Sequence, residues 1–228
     1  MEQKINRPHQ MISLADQVFD ALETDILSGV YERGEVLTES RLCEKMAVSR
    51  TPIREALKRL ATEHIIEMTP RGARVIGILP EDIADIYDIR LRIEGMAVAK
   101  AAACMSEEAI QELKETLDLQ EFYTLRKEPD NIKNMDSRFH RIIYENCGSG
   151  TFKDVLAQLH RKIMKYRRVS ISIPSRASQS LSEHAAIYEA IAARDSQKAE
   201  ELTITHIRHA KKNILEQAVN AGNVQTAV

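Results

Sequence analysis

The chain has no tryptophan, and aromatic residues make up only 4% of its 228 positions. Alanine, leucine, isoleucine, glutamate, lysine and arginine abound instead, a mixture that favours helix over sheet. Cysteine is also scarce. Cys43, Cys104 and Cys147 are odd in number, scattered and without CxxC spacing. That argues against a disulfide framework or a thiolate zinc centre and leaves three reduced thiols. No run approaches the ~18 apolar residues that a membrane helix needs. The N-terminal MEQKINRPHQ has no apolar core and does not read as a secretory signal. A cytoplasmic protein with no membrane partner is the expectation.

What is present is an ordinary globular balance, 43% hydrophobic and 29% charged, in a length that holds one large domain or two modest ones. The formal net charge of −2 hides an uneven distribution. Residues 1–40 carry three basic and eight acidic side chains. Residues 41–77 carry eight basic ones (Arg41, Lys45, Arg50, Arg54, Lys58, Arg59, Arg71, Arg74) and four acidic. Positive charge is therefore concentrated in one short stretch, as nucleic-acid binding requires, although charge clusters also serve simply as solvated faces.

Polar residues 1–10, with Pro8, read as a flexible tail. Leu14, Val18, Leu22 and Ile26–Leu27 recur at helical spacing and end at Gly29. A short helix fits Glu39 to Met46, a break fits Ala47-Val48, and a second helix opens at Ser49, with Pro52 tolerated in its first turn. Ile65 to Met68, a Pro70-Arg71-Gly72 turn and Arg74 to Ile76 read as a two-stranded ribbon. This order is the layout of a winged helix-turn-helix over 11–77, in which the helix after the turn enters the major groove. Along that helix Ile53, Leu57 and Leu60 form the buried stripe, while Arg50 and Arg54 occupy another face near its start. Arginine matches the O6/N7 acceptor pair of guanine. Ser49 and Thr51 add hydroxyls, and the helix N-terminus attracts phosphate.

After a boundary near 77–80, residues 81–220 read as an all-helical bundle of about six helices: 80–105, 106–127, 129–146, 150–171, 180–193 and 195–219. Ser106, Pro129, the Cys147–Gly150 break, the Pro174-Ser175 break, a Ser180/Glu183 capping box and Asp195 punctuate them. Helical-wheel positions turn several polar groups inward. Asp136 lies within the stripe of Ile132, Met135, Phe139 and Ile143, and His140 lies at its edge. His184 shares a face with Ile187, Tyr188 and Ile191, and His206 with Leu202, Thr203 and Ala210. Asp136 and His140, at i and i+4, are close enough to chelate one ion. Imidazoles with one carboxylate suit zinc, nickel or manganese. Spacing alone leaves the alternative of satisfied core residues open. Arg90 also faces inward, beside Ile83, Ile86, Ile93 and Ala97. There it either clamps an anionic ligand or pairs with Glu94. His160 and His209 read as pocket rim or packing, and Arg167 and Arg168 as solvated.

The block Thr38-Glu-Ser-Arg-Leu42 … Val48-Ser-Arg-Thr-Pro-Ile-Arg-Glu-Ala-Leu57 … Leu60 resembles the recognition element of the GntR family of transcriptional regulators, and Arg71-Gly72 resembles its wing. The resemblance implies operator contacts by Ser49, Arg50, Thr51 and Arg54, with Arg71 and Gly72 at the wing, where a glycine lets the backbone approach the minor groove. Some relatives have arginine where this chain has Ser40, so that contact is either lost or assumed by neighbouring Arg41. Residues after 80 resemble the FCD ligand-binding domain of the FadR-like branch. The matching residues are Arg90-x-x-Ile93-Glu94, Asp136-x-x-Phe139-His140, Glu183-His184-x-x-Ile187, Asp195 and His206. The resemblance implies metal ligation by Asp136, His140, His184 and His206, zinc foremost. It also implies a helical domain that dimerises and an effector that weakens DNA binding.

Together these readings give a non-enzymatic repressor, a homodimer on palindromic double-stranded DNA, controlled by a small anionic metabolite at the metal, with Arg90 as effector clamp. The alternatives are a sensor of the ion itself and a metal-dependent hydrolase with a DNA-binding appendage. The hydrolase needs a general base, for which Glu94 is the one further inward acid.

Overall fold

The computed structural model describes residues 13–78, 80–163 and 173–225. The chain forms two compact units, Met1–Ile78 and Leu79–Val228. The expected tail over 1–10, residues 164–171 of the helix expected over 150–171, and with them Arg167 and Arg168, lie outside the described residues.

In the first unit, α1 (Leu14–Ser28) starts at Ser13, whose side chain accepts from the Asp16 N–H, and stops at Gly29. α2 (Glu39–Met46) is capped by the Thr38 hydroxyl and ends at Ala47 in the left-handed region (φ 53°), which makes the tight turn. α3 (Arg50–Thr62) follows, with Ser49 at its N-cap position. Val18, Phe19, Leu22, Leu42, Ile53, Leu57 and Leu60 are all buried together. Burial of such an apolar stripe, at roughly 25 cal/mol per Å², locks the three helices against one another.

The sheet has one strand more than the expected ribbon. β1 (Val36–Leu37) pairs antiparallel with β3 (Gly72–Val75), which also pairs with β2 (Ile66–Thr69), giving the order β1-β3-β2. A two-residue strand carries too little alternation to be seen in a sequence. Its consequence falls on Gly72. There φ is +133°, and a Cβ would lie 2.6 Å from the Leu37 carbonyl oxygen. The glycine at the ribbon tip is therefore demanded by its own sheet, before any groove is considered.

The second unit contains, among the described residues, six helices: α4 (Pro80–Cys104), α5 (Glu107–Arg126), α6 (Pro129–Glu145), α7 (Gly150–Lys162), α8 (Pro174–Ala192) and α9 (Ser196–Gln225). Ser106, Ser149 and Asp195 cap α5, α7 and α9 through their side chains. α8 differs from expectation. Pro174 opens the helix rather than breaking the chain, because its fixed φ and missing N–H suit a first turn. Ser180 is then buried at mid-helix and not a cap. α9 likewise continues past 219 to Gln225. Ala97, Val98, Ala101, Leu113, Phe139, Ile142, Ile143, Leu156, Ile187 and Ile191 share one core. α9 packs along α4 at close range; a Cβ on buried Gly95 would meet the Glu200 side chain at 3.0 Å. No described helix is long and apolar enough to cross a membrane.

Candidate DNA-reading surface and histidine centre

On the first unit, Ser49, Arg50, Thr51 and Arg54 are exposed at the start of α3, Arg41 is exposed on α2, and Arg71 is exposed at the ribbon tip. The Ser49 side chain makes no capping hydrogen bond, so its hydroxyl remains available. The arginines divide into two kinds. Arg41 Nη1 donates to Glu35 Oε1 at 2.7 Å, and Arg54 Nε donates to both carboxylate oxygens of Glu39 at 2.8 and 2.9 Å. Arg50 and Arg71 form no ion pair among the described residues. Among the described residues the face thus combines two guanidiniums outside any ion pair with two that are already held by acids.

In the second unit, the inward polar groups come together. Asp136, His140, His184 and His206 are each at most 3% exposed. One ring nitrogen from each of His140, His184 and His206 falls within 4.8 Å of the others. Metal–nitrogen bonds of ~2.1 Å put the ligand atoms of one ion ~3–4 Å apart, so only a small inward adjustment is needed. Asp136 Oδ1 lies 3.6 Å from His184 Nε2 and accepts from the Ser180 hydroxyl at 3.5 Å. The three histidines, contributed by α6, α8 and α9, are therefore brought together, and Asp136 adjoins them at His184.

The rings are oriented from behind. His140 Nδ1 lies 3.0 Å from Glu94 Oε1, His184 Nδ1 lies 2.8 Å from Gln120 Oε1, and His206 Nδ1 lies 2.7 Å from Glu183 Oε2. Each partner atom is an oxygen acceptor, so Nδ1 carries the proton and Nε2 keeps the lone pair. His140 Nε2 is buried without a hydrogen-bond partner among the described residues. His184 also stacks on Phe139, with centroids 4.2 Å apart and planes 9° from parallel, which fixes its plane.

Electrostatics favour the neutral form of two of these rings. Burial pushes His140 below its ordinary value despite the opposing Glu94 carboxylate. Burial, with help from His140 and Arg176, holds His206 well below the imidazole range. Neutral imidazole is the form that binds metals. A donor set of imidazole nitrogens with a carboxylate fits a divalent transition ion.

Arg90 and Glu94 form a fully buried pair on α4, Nε to Oε2 at 2.7 Å and Nη2 to Oε1 at 3.2 Å. Burial disfavours ionised Glu94, but Arg90 and His140 outweigh it and hold the carboxyl well below the usual range. The Tyr144 hydroxyl also donates to Glu94 at 2.7 Å. Glu94 is thus engaged by three groups and not poised as a base. His160 is buried, with its ring 5.2 Å from that of His140, and burial first, then His140 and Arg90, push it well below its ordinary value. His209 is exposed and bonds Glu183 at 2.7 Å.

Sequence reasoning missed Gln120, Glu183 as a histidine anchor, and Tyr144. Gln120 had a signal, an amide at helical spacing from buried Leu113, Thr116 and Leu117. The spacing of Glu183 suggests a cap with Ser180, and nothing in it marks the bond to His206, 23 residues away.

Known proteins supply the family. The description "Bacterial regulatory proteins, gntR family" matches residues 14–76, and "FCD domain" matches residues 85–209. The gluconate operon transcriptional repressor of Bacillus licheniformis is 37% identical over 122 residues, 54% of this chain and 50% of that protein. The chain therefore spans about half the length of that relative. The HTH-type transcriptional repressor RspR of Escherichia coli (strain K12) is 26% identical over 199 residues, 87% of each. Escherichia coli McbR/YncC has a similar fold, with a TM-score of 0.79 at 22% identity over 91% of this chain and 100% of that one. The chain belongs to the gntR family of bacterial regulatory proteins, with an FCD domain following its winged helix-turn-helix.

Proposed function

We propose that this regulator is a homodimeric repressor that binds a palindromic operator through α3 and the ribbon, and that a small carboxylate bound at a metal in the FCD domain controls the binding. The observation that carries this reading is the convergence of His140, His184 and His206, each anchored through Nδ1. Asp136, His140, His184 and His206 would hold the ion, zinc first, with nickel or manganese as alternatives. When bound, the ion supplies open coordination positions for an oxygen of the effector. The chain's own residues exclude water and fix the imidazoles. Control then follows if the effector favours one dimer arrangement over another.

On the operator side, Ser49, Arg50, Thr51 and Arg54 would reach base edges and phosphates, with Arg41, Arg71 and Gly72 beside them. Two-fold pairing of weak half-sites multiplies affinity, the physical reason for a dimer on a palindrome.

The test is a thermal-shift screen of small carboxylates on zinc-loaded, chelator-treated and His184→Ala protein. An acid that binds the native state raises its melting temperature by mass action. The reading expects one acid to stabilise the loaded protein alone. Equal stabilisation of all three preparations would count against it.

A second reading, in which the ion itself is the signal, is favoured by one observation. Arg90 is neutralised by Glu94 at 2.7 Å, so its inward charge need not await an anionic ligand. Operator affinity that tracks zinc without any acid would select this second reading.

A further inference from the structure

Arg54 is held before any DNA arrives. Glu39, the first residue of α2, and Arg54, the fifth of α3, lie on either side of the tight turn at Ala47. Buried Leu42, Ile53 and Leu57 fix the two helices together, so the spacing between the acid and the arginine is set by the core. Both oxygens of Glu39 accept from the same atom, Arg54 Nε, at 2.8 and 2.9 Å. Nη1 and Nη2 make no hydrogen bond among the described residues, and the Arg54 side chain is 58% exposed against 31% for Glu39. Arg50, one turn earlier on the same helix, forms no ion pair among the described residues.

An unheld arginine can meet a phosphate or a base through either edge of its guanidinium. Engagement of Nε by a carboxylate closes the side edge and leaves the end-on pair Nη1/Nη2, which matches the O6/N7 acceptors of guanine. The same carboxylate places a negative charge beside the phosphate backbone. That opposes binding wherever no base acceptor compensates. We infer that Glu39 is a positioning residue for sequence reading, which presents Arg54 end-on to a guanine and suppresses its use as a general phosphate contact. The inference rests on the DNA-binding reading given above and deepens it.

The experiment uses the full chain. Wild-type protein first selects a duplex from a randomised library. Affinity for that duplex and for a scrambled duplex of the same composition is then measured over a range of salt concentrations. Glu39→Ala is expected to lower the ratio of the two affinities by about tenfold or more, while scrambled binding stays equal or tightens and its salt dependence steepens. Glu39→Gln keeps an oxygen for Nε but not the charge. It should recover part of the ratio, yet bind scrambled DNA as tightly as Glu39→Ala does. In an Arg54→Lys background, Glu39→Ala should lower the ratio no further, because the acid acts through the arginine.

A ratio preserved within about twofold in Glu39→Ala overturns the proposal, as does an equal loss of both affinities together with a lower melting temperature. If Glu39→Ala fails to fold, Glu39→Gln is read alone, and an unchanged ratio with unchanged scrambled binding overturns it. A wild-type chain that enriches no sequence overturns the DNA-binding reading itself, and this proposal with it.

Discussion

The side-chain oxygen of Gln120 lies 2.8 Å from Nδ1 of His184, although 64 residues separate the two. Both are fully buried, and the bond leaves Nε2 as the ring atom that would face an ion. Replacing Gln120 by Leu keeps the bulk and removes the acceptor. The expected outcome is a 10–100-fold loss of zinc affinity, roughly the usual effect of losing an outer-shell partner. Competition titration against a fluorescent chelator measures it. Unchanged affinity would mean that Phe139 stacking alone fixes the ring.

The buried pair on α4 gives a stability prediction. Glu94→Gln leaves the Arg90 guanidinium fully buried without its counter-charge, which should cost about 3–5 kcal/mol. The double substitution Arg90→Met with Glu94→Gln removes both charges and should recover much of that loss. Chemical denaturation of the three proteins is the check. Additive losses would show that the pair does not act as a unit.

At the ribbon, Gly72→Ala is expected to destabilise the first unit by roughly 1–3 kcal/mol, since the added methyl meets the Leu37 carbonyl and φ is +133°. The readout is hydrogen exchange of β1 and β3 amides without DNA. Unaltered protection there would show that this glycine serves the DNA contact alone.

Much of this was legible because the signals are local. The helix-turn-helix can be read from the Ile53–Leu57–Leu60 stripe, the Ala47 turn and the capping positions, all within a few residues. Inward-facing Asp136, His140, His184 and His206 can be read for the same reason: a polar residue at an apolar helical position stands out. β1 escaped because two residues give no period. α8 starts six residues before the expected Ser180, because Ser180 and Glu183 mimic a capping box whereas Pro174 already satisfies a first turn. The anchors Gln120 and Glu183 depend on which helices meet, and helical periodicity does not say which faces will be opposed. Spacing gives Arg90 two readings, and the i, i+4 bond to Glu94 is present in the fold.

Metal removal should separate a working centre from a set of packed histidines. Chelator treatment is expected to lower the melting temperature of the second unit in wild-type protein and to leave His184→Ala unaffected, since a ligand stabilises only a state that binds it. Equal responses in both proteins would place the effect of chelator elsewhere.

The most direct test of the central claim is operator affinity measured on the zinc-loaded chain as the acid found in the thermal-shift screen is added. The account predicts a fall of about 5–150-fold at saturation, the usual range for coupled sites, and no fall after chelation or in His184→Ala. Operator affinity that stays constant while the acid saturates its site would contradict it.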